Sequence, residues 1–566
     1  MSNTIVQTPV RQTVVLGASE LSFARHAFAN GADLGSVAQR LGVDSVEQAM
    51  SAVAETLGLR FIDLAKAKIN SKAFDGFPVR FVHRYNIFPI DRSDKLLTVA
   101  TSNPFELNAI DDIADALGIR VVPALVDSEE LAKLIKSHLG VGAETVDGLL
   151  SQVEDESVQI LDDVQFDGSE DSEMAQEASV VRLVNEILAE AVNARTSDIH
   201  IEAQESGIKI RYRIDGVLQR QPTPPEMNRF HPAIISRLKI MAKMNIAEKR
   251  VPQDGRIKLR VSGREIDIRV SVIPMLHGEG IVMRVLDKDN LNFSLQGIGM
   301  SSAIYESFQK LIRLPHGIIL VTGPTGSGKT TTLYSALSEI KNEDTKIITT
   351  EDPIEYQLEG INQIQVNTKV GLTFAAGLRS ILRHDPDVVL VGEIRDLETA
   401  ENATQASLTG HLVFSTLHTN DSAGAFMRLC DMGVEPFLVS STVEGILAQR
   451  LVRKLCPTCR SSVTINPDSL PEDFPIERLR AIGADIFEPV GCRDCRGSGY
   501  AGRMGIYELL VTNDEIRHLA NERGSSTVIK RAARDSGMAT LRDDGWDKVL
   551  QGITTVDEVL RVTKAD

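Results

Sequence analysis

Hydrophobic and polar positions follow different patterns in successive parts of the chain, and each pattern predicts a different structure. Between residues 300 and 420, helical stretches separate four short apolar runs: GIILVTG, TKIITTED, DVVLVGEI and HLVFSTLH. Short, almost wholly apolar runs between helices are typical of buried parallel strands. This part of the chain therefore predicts an α/β fold built on a mostly parallel sheet.

The regions before residue 300 carry two other patterns. From residue 178 a segment with helical spacing of apolar residues, SVVRLVNEILAEAVNAR, precedes segments of alternating polarity: SDIHIEAQ, GIKIRYRIDGVLQR, GRIKLRVSGREIDIRVSVIPM and GIVMRVLD. Alternation broken by D-G and S-G turns predicts a mainly β layer packed with helices. Residues 21–140 combine a strand-like run, LLTVAT, with a helix, SEELAKLIKSHLG, capped by Ser128, so we expect a small α/β unit there.

Composition marks the boundaries between these regions. From Glu144 to Glu177 there are twelve acidic residues and no Lys or Arg, which is typical of a solvated, extended linker; a docking site for a basic partner is the alternative. The expected multidomain α/β protein divides into an N-terminal regulatory or docking domain (1–140), the acidic linker (141–178), a second α+β domain (179–290), an α/β core (291–450), a four-cysteine module (451–504) and a C-terminal helical subdomain (505–566).

Length and charge restrict the class of protein. A chain of 566 residues is too long for one hydrophobic core. The net charge of -17 argues against a generic nucleic-acid binder. We see no apolar run of about 18 residues or more and no basic segment followed by an apolar one at the N-terminus. We therefore expect a cytoplasmic protein, peripheral to a membrane only through a partner.

A phosphate-binding motif follows the first of the four apolar runs. GPTGSGKT fits the pattern G-x-x-x-x-G-K-[ST], with a strand before it and a helix after it, which is the context that the motif requires. Backbone N–H groups of such a loop surround phosphates, the lysine reaches the β/γ-phosphates, and the hydroxyl of Thr330 is expected to ligate Mg²⁺. The predicted ATP-binding residues are Gly323, Pro324, Thr325, Gly326, Ser327, Gly328, Lys329, Thr330 and Thr331.

Acidic residues follow two of the other apolar runs. Glu351, Asp352 and Glu355 come at the exit of TKIITTED, where they are candidates for Mg²⁺ ligation or for positioning the attacking water; ordinary loop acids are the alternative. Glu393 ends DVVLVGE, which resembles a Walker B strand except that Gly392 stands where that motif usually has Asp. Glu393 is therefore the best candidate to polarise water. Asp396 is a weaker candidate.

Five cysteines are present, four of them in C-x-x-C pairs. Cys456 with Cys459, and Cys492 with Cys495, suit the tetrahedral thiolate coordination of a structural Zn²⁺. A redox role lacks the βαβ context that such pairs require. Cys430 is expected to be a small buried residue.

The motifs together resemble a known family. GPTGSGKTTTLY, ITTEDPIEY, ILRHDPDVVLVGEIRD and TGHLVFSTLHTN are similar to the Walker A, Asp box, Walker B and His box of secretion traffic ATPases, and the cysteine pairs point to the type II secretion and type IV pilus assembly branch. The resemblance covers residues 178–566 well and 1–140 loosely. It implies a RecA-like P-loop ATPase core preceded by a PAS-like α+β domain.

The same resemblance implies a function and partners. We expect a homo-hexamer at the cytoplasmic face of the inner membrane, which couples ATP hydrolysis to an inner-membrane platform protein that assembles a pilus or pseudopilus. Arg211, Arg213 and Arg256 resemble the family's phosphate-contacting arginines, with surface charge as the alternative. Arg237 is a poorer candidate, on the wet side of an amphipathic helix. A DNA translocase and a non-catalytic ATP-binding scaffold are the rival functions.

Two further predictions concern the R-L-G motif of the N-terminal domain and the two histidines of HLVFSTLH. The N-terminal domain holds one R-L-G motif, Arg40 to Gly42, where relatives that bind cyclic di-GMP repeat it, so we expect docking to a membrane-anchored partner and no cyclic di-GMP binding. His418 ends the run HLVFSTLH and is expected near the γ-phosphate, whereas His411 at its start fits a core histidine equally well.

Overall fold

The fold is taken from a computed structural model, and the chain divides into two compact units, Met1–Asp287 and Lys288–Asp566. The structure describes residues 16–29, 46–64, 67, 69–93, 95–139, 158–160, 177–287, 294–463, 470–483 and 485–564. The R-L-G motif and most of the acidic linker lie outside the described residues. Among the described residues, no helix has both the length and the apolar character that crossing a membrane requires.

The N-terminal part of the first unit is a small α/β fold, as predicted. Its four-stranded sheet has the order β1-β4-β3-β2, with β1, β4 and β3 parallel and β2 antiparallel to β3. The elements are α1 (Ala18–Ala29), α2 (Val46–Thr56), β1 (Arg60–Phe61), a 3-10 helix (Ser71–Phe74), α3 (Val79–Tyr85), β2 (Ile87–Ser93), β3 (Leu96–Thr101), α4 (Leu107–Leu117), β4 (Arg120–Leu125) and α5 (Ser128–Leu139).

The cap of α5 differs from the prediction by one residue. The Oδ1 of Asp127 accepts hydrogen bonds from the backbone N–H groups of Glu129 and Glu130, at 2.9 and 3.1 Å. A carboxylate satisfies the unpaired N–H groups of a first turn and also interacts favourably with the helix dipole. Asp127 therefore takes the place expected for Ser128, which is the first helical residue.

The second part of the first unit is a seven-stranded antiparallel sheet with the order β5-β9-β10-β11-β6-β7-β8. The elements are β5 (Val158–Ile160), α6 (Ala178–Asn193), β6 (Thr196–Gln204), β7 (Gly207–Ile214), β8 (Val217–Arg220), a 3-10 helix (Pro225–Phe230), α7 (His231–Met241), β9 (Gln253–Val261), β10 (Arg264–Met275) and β11 (Gly278–Asp287). The predicted β layer with helices is thus confirmed. Its PAS-like character stays a prediction.

Two features of this sheet depart from expectation. Val158–Ile160 belong to the acidic segment but pair with β9, so this part of the predicted linker is an edge strand rather than solvated chain. Arg237, expected on the wet side of α7, is only 7% exposed, and burial lowers the pKa of its guanidinium. Helix α7 is buried around most of its circumference, which the prediction of an amphipathic helix missed.

The second unit is built on the predicted parallel sheet. Its order is β14-β13-β15-β16-β12-β17-β20, and only the β17–β20 pair is antiparallel. The elements up to β17 are α8 (Ser302–Leu311), β12 (Gly317–Thr322), α9 (Lys329–Ile340), β13 (Ile347–Glu351), β14 (Asn362–Gln365), a 3-10 helix (Thr368–Val370), α10 (Phe374–Ile381), β15 (Val388–Val391), α11 (Leu397–Leu408), β16 (Leu412–Leu417), α12 (Gly424–Asp431), α13 (Pro436–Thr442) and β17 (Val443–Leu455).

Helices cover both faces of this sheet. In β12, Ile318 and Leu320 enter the core on one face, and Ile319 and Val321 enter the core on the other. All six residues of β12 are buried. A strand buried on both faces needs apolar residues at consecutive positions, which is why its sequence shows no alternation.

The four cysteines lie in an insertion between two neighbouring strands of this sheet. The remaining elements are β18 (Ser461–Val463), α14 (Ile476–Ile482), β19 (Ile486–Glu488), β20 (Tyr500–Val511), α15 (Asp514–Asn521), α16 (Ser526–Asp535), α17 (Leu541–Leu550) and α18 (Val556–Val562). The expected boundaries at 450/451 and 504/505 are therefore wrong, because they cut through β17 and β20. The sequence did not predict this strand of 13 residues, because polar residues interrupt the apolar pattern of β17.

Candidate nucleotide-binding site and cysteine cluster

The phosphate-binding loop joins the end of β12 to the start of α9. Gly323, Gly326 and Gly328 have φ angles of 149°, 78° and 90°, a region that L-residues with side chains rarely adopt. A Cβ at Gly323 would lie 2.6 Å from the carbonyl oxygen of Gln449, and one at Gly328 would lie 2.7 Å from its Nε2. Close contact with β17 therefore requires glycine at both positions, whereas Gly326 faces open space.

Lys329 is held over this loop. Its Nζ donates to the carbonyl oxygens of Gly323 at 2.8 Å and Pro324 at 3.2 Å. Burial lowers the pKa of the ammonium below that of an ordinary lysine, although attraction to Glu393 acts in the opposite direction. A partly desolvated cation at the start of a helix is a favourable site for phosphate.

The remaining loop residues offer backbone and hydroxyl groups. Pro324, Thr325, Thr330 and Thr331 are exposed, so the two threonine hydroxyls in the first turn of α9 are accessible to a ligand. The hydroxyl oxygen of Ser327 is buried and makes no hydrogen bond. An unpaired buried hydroxyl is costly unless a further group, such as a ligand oxygen, forms a hydrogen bond with it. The loop residues therefore fit a bound triphosphate with Mg²⁺.

Glu393 and His418 lie together beside this loop. They follow β15 and β16, which are neighbouring parallel strands, so both side chains are at the carboxyl edge of the sheet. His418 Nε2 is 3.2 Å from Glu393 Oε2, and Arg395 pairs with the other carboxylate oxygen. Burial alone would raise the pKa of Glu393, but Arg395 and then His418 hold it below its usual value. The carboxyl group is therefore ionised at neutral pH.

The three acids at and just after the end of β13 have different surroundings. Glu351 is 4% exposed and accepts hydrogen bonds from Tyr334, from Thr349 Oγ1 at 2.7 Å and from Gln363 Nε2 at 3.0 Å. Asp352 is exposed and lines a cavity of about 420 Å³. Glu355 is half-buried. Glu351 already has a complete set of donors within the fold, so Asp352 is better placed to meet a ligand; the catalytic role of all three stays a prediction.

Two residues near these motifs have local structural partners. Nδ1 of His411 lies 2.9 Å from the carbonyl oxygen of Ala406, at the end of α11. The Oδ1 of Asp396 accepts from the N–H of Thr399 at 2.8 Å and caps the same helix. The first contact favours the structural alternative stated for His411, and the second gives Asp396 a structural role as a helix cap.

The predicted phosphate-contacting arginines all lie on the sheet of the first unit. Each pairs with a carboxylate of a neighbouring strand: Arg211 with Glu202 at 2.5 Å, Arg213 with Asp198 at 3.4 Å, and Arg256 with Asp267. Their role at a nucleotide stays a prediction.

Pairing of the strands brings two further arginines into the same row, which sequence reasoning missed. Arg256 on β9 is opposite Arg269 on β10, and Arg269 is opposite Arg284 on β11. Like charges at directly opposite positions repel, and carboxylates offset part of this charge, because Arg256 pairs with Asp267 and Arg284 pairs with Asp198 at 3.3 Å. The strand alternation contained the signal, but only the register aligns the three positions.

The four paired cysteines converge on one point. The Sγ–Sγ distances are 3.8 Å for Cys456 and Cys492, 3.8 Å for Cys459 and Cys495, and 3.7 Å for Cys492 and Cys495. All four sulfur atoms lie within 4.8 Å of one another. A tetrahedral metal with bonds of about 2.3 Å to sulfur requires sulfur atoms roughly 3.8 Å apart. The cluster therefore has the dimensions of a four-thiolate zinc site.

Backbone groups support this cluster. The N–H groups of Cys492 and Gly499 donate to the Sγ of Cys495 at 3.0 and 3.2 Å. Burial alone would raise the pKa of the Cys495 thiol, but these donors lower it below the usual value. Cys430 packs against the core of the second unit, away from the cluster, but it is half-buried rather than fully buried as predicted.

Gln449 is a site residue that the sequence did not reveal. Its carbonyl oxygen and Nε2 pack against the phosphate-binding loop, and its Oε1 accepts from Thr332 of α9 at 2.7 Å. The residue lies in the middle of β17, far along the chain from the motif that it supports. No local pattern indicates this contact.

A phosphate-binding loop between a parallel strand and a helix, with an acid and a histidine at the ends of adjacent strands, is typical of a P-loop ATPase core. The family model described as "Type II/IV secretion system protein" matches residues 173–561, and the model of the MshEN domain matches residues 57–145. The chain belongs to this family of secretion and pilus ATPases.

One relative named for type II secretion and one named for type IV pilus assembly each align along almost the whole chain. The chain is 45% identical over 536 residues to "Type II secretion system protein E" of Xanthomonas campestris pv. campestris, covering 93% of this chain and 92% of the relative. It is 39% identical over 538 residues to "Type IV pilus assembly ATPase PilB" of Myxococcus xanthus, covering 95% and 94%. Both branches named by the resemblance are thus found among its relatives.

A solved structure supports the fold. The ATPase DotB of Legionella pneumophila aligns with a TM-score of 0.51 at 22% identity, over 71% of this chain and 99% of that one. At this identity the match concerns the architecture alone.

Proposed function

We propose that the chain hydrolyses ATP in a Mg²⁺-dependent reaction and uses the energy to assemble a type II secretion pseudopilus. The observation that carries the proposal is the placement of Glu393 and His418 beside Lys329 at one edge of a parallel sheet. Lys329 binds phosphate, Glu393 polarises the attacking water, and His418 orients the carboxylate of Glu393.

The site residues also fit the ions that the family implies. The hydroxyl of Thr330 and the carboxylate of Asp352 would hold Mg²⁺, which supplies positive charge to the phosphates when bound. The four cysteine sulfurs would hold a structural Zn²⁺, because four protein ligands leave no open position for catalysis. Metal analysis of the full chain is expected to give one zinc per chain, none in Cys459→Ser/Cys492→Ser, and one in the control Cys430→Ser.

Steady-state hydrolysis by the full chain tests the activity. Lys329→Ala is expected to lower kcat/KM by two or more orders of magnitude, since the loop loses its charged phosphate ligand. Lys310→Ala, which removes an exposed lysine of α8, is the control. Equal turnover by wild type and Lys329→Ala contradicts the proposal. DNA-stimulated turnover that falls steeply with salt supports a DNA translocase instead.

The choice of a secretion system rests on the relatives. Over nearly the same share of the chain, identity is 45% to the secretion protein and 39% to the pilus protein. Deletion of the gene is expected to stop export of secreted proteins into the medium and to leave surface pili intact. Restoration by the wild-type gene, but not by Lys329→Ala, ties the phenotype to hydrolysis; loss of pili with normal secretion contradicts the assignment.

The proposed assembly is a homo-hexamer at the cytoplasmic face of the inner membrane, coupled to a platform protein. Arg211, Arg213 and Arg256 would contact phosphate, and the row that includes Arg269 and Arg284 extends this set. The N-terminal domain would dock to a membrane-anchored partner. Cyclic di-GMP binding is not part of the proposal, and absence of thermal stabilisation by this nucleotide is the expected result.

A further inference from the structure

Besides Lys329, a second cation lies against the phosphate-binding loop, and it is buried on a strand that carries none of the recognised motifs. Arg450 of β17 is 9% exposed. Its Nη1 donates to the carbonyl oxygen of Gln449 at 2.9 Å, and its Nη2 donates to that of Asn420 at 2.8 Å. Both acceptors are neutral backbone groups, one in the same strand as Arg450 and one in the segment after β16, so the guanidinium links these two chain segments, its own strand and that of Asn420, rather than forming a simple ion pair.

One of these segments is in contact with the phosphate-binding loop. A Cβ at Gly323 would lie 3.0 Å from the Nη1 of Arg450 and 2.6 Å from the carbonyl oxygen of Gln449. Only glycine allows the loop to approach the guanidinium this closely. Burial lowers the pKa of Lys329, and the nearby charge of Arg450 lowers it further. Two cations therefore border the first turn of the loop.

The other segment carries His418. Asn420 lies two residues after His418, and between them the N–H of Thr419 donates to the Oγ1 of Thr322 at 2.9 Å. The segment is thus fixed at Thr419 to the end of β12 and at Asn420 to the side chain of Arg450. The 3.2 Å contact between His418 and Glu393 depends on where this segment is held.

The charge of Arg450 is balanced from outside the nucleotide site. Attraction to Glu508 and then Asp421 offsets part of the cost of burying the guanidinium. Glu508 is itself fixed, since it accepts from the N–H of Ser422 at 2.9 Å and from the N–H of Leu541 at 3.3 Å. The charges of Glu508 and Asp421 therefore stabilise the buried guanidinium and leave both of its contacts with carbonyl oxygens intact.

We propose that Arg450 is a positioning residue for hydrolysis: its guanidinium fixes the segment carrying His418 relative to the phosphate-binding loop at Gly323. The inference rests on the ATPase activity proposed above. It assigns a role to a residue of β17 that acts through His418 and Glu393 and not through contact with phosphate. A lysine at this position keeps the charge, but its single ammonium does not reproduce the planar fork that reaches both carbonyl groups.

The test compares Arg450→Lys with Arg542→Lys in the full chain. Arg542 is a matched control, because it is 7% exposed, belongs to the same unit and pairs with Asp473. Fluorescent ATP-analogue binding gives Kd, and steady-state hydrolysis gives kcat. Arg450→Lys is expected to keep Kd within about threefold and to lose roughly 10- to 100-fold in kcat, since small displacements of catalytic groups have effects of this order. Arg542→Lys is expected to keep both values.

A double-mutant cycle separates positioning from general damage. His418→Ala alone is expected to lower kcat, and adding Arg450→Lys to it is expected to lower kcat little further, because the two changes disable one element. Wild-type kcat in Arg450→Lys, weakened Kd with unchanged kcat, or fully additive losses in the cycle each overturn the inference. A wild-type protein no more active than Lys329→Ala overturns the proposed function itself, which distinguishes the two failures.

Discussion

Glu558 ties the last helix of the chain to the strand that leads into the cysteine cluster. The residue is 1% exposed on α18. It accepts from the N–H of Arg453 at 3.0 Å, from the Nη2 of Arg453 at 2.6 Å and from the Nη2 of Arg561 at 2.8 Å. Arg453 lies on β17, three residues before Cys456. Replacing Glu558 with Gln removes the charge that these donors share.

The pKa of Glu558 gives the size of the effect. Burial alone would raise this pKa, but the donors on Arg561 and Arg453 hold it at about 2, against an ordinary value of 4.5. At about 1.4 kcal/mol per pH unit, this difference corresponds to about 3 kcal/mol of folding free energy at pH 7. Because the folded-state pKa is the lower one, the contribution is complete above pH 4.5 and is lost as the pH falls towards 2.

Urea unfolding followed by tryptophan fluorescence measures this quantity. Trp546 is the only tryptophan of the chain and shares a core cluster with Val559, the neighbour of Glu558. Glu558→Gln is expected to lose about 3 kcal/mol at pH 7 and progressively less below pH 4.5. The control, Glu477→Gln, removes an exposed partner of Arg480 and is expected to change stability by less than about 0.5 kcal/mol. A loss below about 1 kcal/mol at pH 7, or one that does not shrink in acid, refutes the reasoning.

Three shorter predictions follow from the same geometry. Gly323→Ala is expected to abolish ATP binding in equilibrium titrations, because its Cβ meets backbone at 2.6 Å, whereas Gly326→Ala, in open space, retains measurable binding. Arg395→Gln is expected to move the acidic limb of the kcat/KM profile to higher pH, because Arg395 lowers the pKa of Glu393; an unmoved limb contradicts this. If the cysteine cluster holds the proposed zinc ion, a chelator is expected to shift Trp546 emission to longer wavelength; unchanged emission would show that the cluster does not stabilise the core that contains Trp546.

Local patterns were sufficient to predict the elements that form the nucleotide site. The loop glycines and Lys329 are consecutive in the chain, and buried parallel strands need uninterrupted apolar runs, so both are visible in short windows. The position of His418 at the carboxyl edge of the sheet also followed, because neighbouring parallel strands place their carboxyl ends at one edge. The convergence of the cysteine pairs was predictable from their spacing and the preference of zinc for thiolates.

The contacts made by β17 could not be predicted in the same way. Gln449 and Arg450 interrupt its apolar pattern because they face the phosphate-binding loop, and this pairing joins positions more than one hundred residues apart. The same long-range pairing explains the misplaced boundaries of the cysteine module. Glu351 likewise stands where a catalytic acid is plausible. Its hydrogen-bond donor Tyr334 lies on a different element, α9, so the sequence around Glu351 does not indicate this contact.

The central claim is that Glu393 activates water for the hydrolysis of ATP bound to the adjacent loop. The direct measurement is single-turnover hydrolysis by Glu393→Gln at saturating ATP, with Glu401→Gln, an exposed acid of α11, as the control. The predicted result is ATP binding with wild-type Kd and a hydrolysis rate lower by about 100-fold or more, while the control matches wild type. A Glu393→Gln protein that binds and hydrolyses ATP at the wild-type rate contradicts the account.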